Sequence, residues 1–141
     1  MVIGIAEILN KISKMRTTKE KVDALKKNDC FALRVMLQAA YDPSVKFLLP
    51  EGSPPYKEID LVDQEHIFRK EAKHVQYFVE GFHPNLKQAK REMMFVQFLE
   101  RIDPEDAKML CHVKDKKPIK GITRKHIDEA FPGMIRNVEN A

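Results

Sequence analysis

Apolar residues recur along this chain at three- and four-residue intervals rather than in alternation, a spacing that predicts helices. Ile3, Ile5, Ile8, Leu9 and Ile12 predict a first helix that ends near Ser13. Thr17 and Glu20 stand at capping-box spacing, so a second helix is expected to run to about Lys27 with Val22 and Leu25 inward. Asn28 or Asp29 offers the cap of a third, carrying Phe31, Val35, Met36 and Leu37. Asp42-Pro43 reads as cap and first position of a short helical turn. Pro50, Gly52, Pro54 and Pro55 make 49–59 a loop. A longer helix is predicted over 63–80, with Ile67, Phe68, Ala72, Val75, Phe78 and Val79 as its stripe and Gly81 as its end. Another is predicted over 85–102 on Leu86, Ala89, Met93, Phe95, Val96, Leu99 and Ile102. Asp103-Pro104-Glu105-Asp106 then gives a cap, an N1 proline and two acids to complement the helix dipole. A last helix starts at Thr123 and ends near Phe131, before Pro132-Gly133.

The pattern therefore predicts an all-α chain forming a compact single domain over 1–141, and composition agrees with it. At 141 residues, 43% hydrophobic and 33% charged, the chain has enough apolar surface to fold without metal or disulfide staples. Cys30 and Cys111 are the only cysteines and show no CxxC spacing, so both read as structural thiols in a reducing, cytoplasmic setting. The first ten residues carry no basic leader, and no run approaches the roughly 18 apolar residues of a membrane span.

Charge changes the picture more by its placement than by its sum of +4. Over 114–125, Lys114, Lys116, Lys117, Lys120, Arg124 and Lys125 face one acid, Asp115. Gly121 and Thr123 lie where this segment turns into a helix. Glycine permits close backbone approach, and a helix start offers N–H groups to an anion. A solvated connector carries the same charges, so composition alone leaves both readings open. A second basic stretch covers 11–27, where Lys19 and Lys21 border a helix start; an exposed amphipathic face is the plain alternative.

Catalytic patterns are missing. His66 and His74 are two helical turns apart, Cys111 and His112 are adjacent, and no HExxH or CxxC occurs, so no metal site is expected. Glu65, Glu71, Glu92, Glu100, Glu105 and Asp106 fall at helix-surface spacing and read as solvated or salt-bridged. Met93, Met94, Phe95 and Phe98 read as core. With no GxSxG and no Walker loop, the expectation is no enzyme, no catalytic residue and no cofactor.

Several of these motifs in this order resemble the N-terminal DNA-binding domain of ATP-dependent DNA ligases of the T-even-phage type. Those motifs are Thr17-Thr18-Lys19-Glu20-Lys21 within 8–49, the run 28–41, Met109-Leu110, the basic turn 114–120, Gly121-Ile122-Thr123 and Phe131-Pro132-Gly133-Met134-Ile135. The stretch 50–81 matches only by helix pattern. The resemblance implies a helical module that grips duplex DNA through its backbone across the minor groove. It implies contacts from Gly121, Ile122, Thr123, Arg124 and Lys125, with Lys19 and Lys21 as secondary ones; Lys116, Lys117 and Lys120 are the adjoining cations of the basic turn. The Lys-x-Asp-Gly motif of nucleotidyl transfer is absent, and nothing follows Ala141 to house it, so ligation by this chain is not expected. The sequence also looks like small proteins of T-even-like phages, which would place it in the host cytoplasm.

The expected partner is therefore double-stranded DNA, with no membrane. The other reading is a phage interaction or virion-associated protein that reuses the scaffold to bind a phage or host protein. The near balance of 25 basic and 21 acidic residues favours it, with the loop 50–56 and Tyr56 as its contact surface.

Overall fold

The computed structural model describes residues 4–57 and 67–135. Its helices are α1 (Ile5–Ser13), α2 (Thr18–Lys27), α3 (Phe31–Tyr41), α4 (Ile67–Glu71), α5 (Gln88–Arg101), α6 (Pro104–Lys114) and α7 (Arg124–Ala130), with a 3₁₀ segment, Ala72–Phe78, continuing from α4. The only strand-like pairing among the described residues is one antiparallel bridge, Phe47 with Val79. The chain is all-α.

Local chemistry explains most of the boundaries. Thr17 accepts from the Glu20 N–H at 3.1 Å to open α2, and Asp103 accepts from the Glu105 N–H at 3.0 Å to open α6 behind Pro104. Asp42, fully buried, accepts from both the N–H (2.9 Å) and the hydroxyl (2.6 Å) of Ser44, closing a single turn after α3.

Three expectations need correction. Neither Asn28 nor Asp29 caps α3: the N-cap is Cys30, without a side-chain bond. Asn28 instead donates back to Ala24 O, and Asp29 pairs with Arg34 at 2.7 and 2.9 Å. The helix expected over 63–80 is α-helical only from Ile67 to Glu71 among the described residues; 63–66, with Glu65 and His66, lie outside them. Beyond Glu71, the buried side chains Ala72, Val75 and Phe78 recur every three residues, the period at which a 3₁₀ turn stacks its side chains on one face. The inward stripe of α5 is also shifted. Arg91, Phe95, Phe98 and Leu99 are buried, whereas Met93 is 57% exposed. Arg91 is tolerated inside because its guanidinium donates to Tyr77 O (3.0 Å), His83 O (3.0 Å) and Gln88 Oε1 (2.8 Å), tying 77–83 to α5.

The core runs through every element. Phe78 packs edge-on to Phe95 with ring centres 5.1 Å apart, while Leu9, Leu25, Leu33, Leu110 and Ile127 join α1, α2, α3, α6 and α7 to the same cluster. Cys30 and Cys111 are both unlinked thiols, and burial raises the pKa of Cys111. No helix among the described residues is long and apolar enough to cross a membrane.

Candidate nucleic-acid interface

The basic stretch 114–125 divides into two halves with different work. Lys114 is buried; its ammonium donates to Pro50 O at 2.7 Å and to Asp115 at 2.6 Å. Burial alone would raise the Asp115 pKa. The bonds from Lys114 and the Gly52 N–H, with the charge of Lys117, outweigh that and hold it below the usual carboxylate range. Lys116, in the left-handed region at φ 61°, donates to Ala39 O (2.8 Å) and Asp42 O (2.9 Å), carbonyls at the end of α3. Burial lowers its pKa, against the pull of Asp42. The expectation for Lys116 is corrected accordingly: its ammonium is committed to the fold, as is that of Lys114.

Gly121 is corrected in the same sense. Its φ of +83° and its packing both require glycine, since a Cβ there would lie 2.7 Å from the Ser13 Cβ and carbonyl oxygen. The close approach serves the joint between the turn and α1, rather than a ligand. Thr123 is likewise engaged: its N–H donates to His126 Nδ1 at 3.0 Å, so the start of α7 is partly satisfied from within. Burial first, then the charges of Lys21 and Lys125 against an opposing pull from Glu129, hold the His126 pKa below the usual histidine range. The neutral ring is thus the one that accepts from Thr123.

The remaining cations gather. The Lys21 ammonium donates to Gly121 O, and α2 packs on α7, which brings the Lys19–Lys21 helix start beside the turn that carries Lys120 and the start of α7 that carries Lys125. Lys19, Lys117, Lys120 and Lys125 are exposed. Arg124 is half-buried and lies 3.5 Å from Asp128, one turn along α7. The turn itself is held by Tyr41, whose hydroxyl accepts from the Ile119 N–H at 2.9 Å and donates to Ile122 O. Sequence reading missed Tyr41 because its partners lie some eighty positions away, and it missed His126 because a histidine seldom fills the third position of a capping box.

Among the described residues no three potential metal ligands lie together. Asp106, expected at the surface, is fully buried. It accepts from the Ala6 N–H at 2.7 Å, capping α1 from another helix, and burial raises its pKa to about 7. Tyr56, the expected partner anchor, packs half-buried against the core, and its loop is pinned where Lys57 N–H meets Glu100 at 2.9 Å.

Fold and surface thus define an all-helical module whose C-terminal turn and second helix share a cationic face. The chain belongs to DUF6433, a family of unknown function, whose model matches residues 8–120. The match takes in the turn up to Lys120 and leaves α7 outside it. No curated protein matches the sequence.

Proposed function

We propose that this chain is a non-catalytic duplex DNA-binding module that contacts the phosphate backbone largely without sequence specificity. The observation that carries the reading is the Lys21–Gly121 bond, which joins two basic segments a hundred positions apart. Lys19, Lys117, Lys120, Arg124 and Lys125 are the contacting cations; Lys21, Lys116, Gly121 and Thr123 build the joint and the turn that present them. Exposed lysines around a rigid turn suit phosphates rather than base edges, because an ammonium recognises charge without the planar fork that reads a base. The resemblance to the ligase DNA-binding domain of T-even-type phages supports the same reading, and with it a place in a phage-infected host cell. Fluorescence anisotropy with duplex, nicked and single-stranded DNA over a salt series tests it. Duplex affinity should fall linearly on a log–log salt plot, with little dependence on sequence. Equal preference for single strands, or no salt dependence, would refute it.

One observation favours a second reading, that of a protein-binding module. Phe31 and Phe82, 61% and 60% exposed, stand on the rim of an apolar groove between α3 and the 3₁₀ segment, floored by Val35, Val75 and Val79. Partners that co-purify after nuclease treatment and are lost on Phe31→Ser and Phe82→Ser would favour this reading over DNA.

A further inference from the structure

We propose that the cleft between α1 and α6 is a binding subsite for a phosphate group. Its volume is about 470 Å³, and each wall is one helical stripe: Ala6, Asn10 and Ser13 from α1, and Glu105, Lys108, Met109 and His112 from α6. Residues 119 and 120 of the turn close one end. Lys14, Lys108 and Lys120 line it against a single carboxylate, Glu105, which sits 3.7 Å from Lys108. Cations around a concave, partly apolar wall focus their field on the space between them, so a compact dianion gains more there than over a flat lysine patch. The lining also supplies one neutral donor. The Asn10 amide lies in the α1 wall. The His112 Nε2–H is committed to Pro118 O at 3.1 Å, so the neutral ring is a fixed part of the wall and not a donor to the phosphate. Lys14 closes α1, its N–H bonded to Lys11 O, so its position is set by the helix end.

The cleft adjoins the cationic face already described: Ser13, on its wall, is the residue against which Gly121 packs, and Lys120 belongs to both. The identity of the phosphate rests on the DNA reading. Under it, the group is a backbone phosphate of a duplex lying across α2 and the turn; without it, the same donors take a free phosphate monoester.

Amide chemical shifts during titration with inorganic phosphate at fixed ionic strength test the subsite. Saturable shifts are expected at Ala6, Met109 and His112. The double variant Lys14→Ala/Lys108→Ala should weaken phosphate about tenfold, and Glu105→Gln should tighten it about threefold. All three residues are surface positions, and opposite effects from the two variants are not what a loss of folding produces. The absence of saturable shifts, or the same affinity in all three proteins, overturns the subsite. Duplex anisotropy on the same proteins separates the sources. If DNA affinity follows the phosphate order, the group is in the backbone. If phosphate behaves as expected and no duplex binds to the parent protein, the subsite stands for free phosphate and the DNA reading falls. If phosphate gives no saturable shifts and duplex binding needs Lys120 and Lys125 yet ignores Lys14, Lys108 and Glu105, the DNA reading stands and the subsite falls.

Discussion

Asp106 and His126 are single side chains that close helix ends, and acid acts on them in opposite directions. For Asp106 the folded pKa is raised from 3.8 to about 7, so the folded state holds its proton more tightly than the unfolded chain does. Its contribution is fully present near pH 4 and is lost as pH rises through 7, on the order of 4 kcal/mol at most. Asp106→Asn keeps an acceptor for the Ala6 N–H and removes the titration. It should therefore match the parent near pH 4 and be more stable at pH 8, which thermal melts at the two pH values will show. The His126 pKa is lowered, so its contribution is present above the ordinary histidine value and is lost as pH falls below it. Histidine protonation also removes the acceptor for the Thr123 N–H, and amide protection factors at residues 123–126 should fall between pH 7 and 5, while His126→Gln should not show that change. The Asp103-Pro104-Glu105-Asp106 motif announced a helix start correctly, but it could not show which acid points inward. The partner of Asp106 is Ala6, a hundred positions earlier, and only the packing of α1 on α6 brings them together.

At the scale of elements, the turn between α6 and α7 is latched to α3 at two points, Tyr41 on the Ile119 and Ile122 backbone and Lys116 on the Ala39 and Asp42 carbonyls. Tyr41→Phe removes a half-buried donor and acceptor without altering charge. It should cost about 1–2 kcal/mol in urea unfolding and reduce duplex affinity a few-fold by loosening the turn that carries Lys120. Unchanged DNA binding in a destabilised Tyr41→Phe protein would mean that the turn needs no latch for function. Gly121→Ala should destabilise by about 1–3 kcal/mol from backbone strain, with more from contact with Ser13, read in the same urea experiment. Much of the helical layout was legible because caps, prolines and glycines mark element ends locally: α2 and α7 begin and end, α1 ends and α6 begins, within a residue or two of their signals. The 3₁₀ segment was not, because Ala72, Val75, Phe78 and Val79 fit a period of 3.6 as well as one of 3.0. Its geometry is set by the edge pairing, where Leu48 N–H meets Phe78 O and Glu80 N–H meets Lys46 O, both at 2.8 Å.

Across the whole molecule, a charge of +4 is small, and only its arrangement argues for a nucleic acid. The sequence showed where lysines cluster along the chain but not which of them the fold consumes; Lys114, Lys116 and Lys21 all donate to carbonyls, and the Lys21 bond to Gly121 brings exposed Lys19 from the far end of the chain to the turn. The DNA account makes a claim about location, so the most direct measurement compares two triple variants of equal charge. Lys120→Ala/Arg124→Ala/Lys125→Ala removes the proposed face, and Lys46→Ala/Lys73→Ala/Lys90→Ala removes three cations carried by other elements. With a fluorescent duplex at low ionic strength, the first should weaken binding by tenfold or more, evenly across sequences, with a shallower salt slope, and the second should stay within about twofold of the parent. Equal losses from both, or a first variant that binds like the parent, would contradict the account.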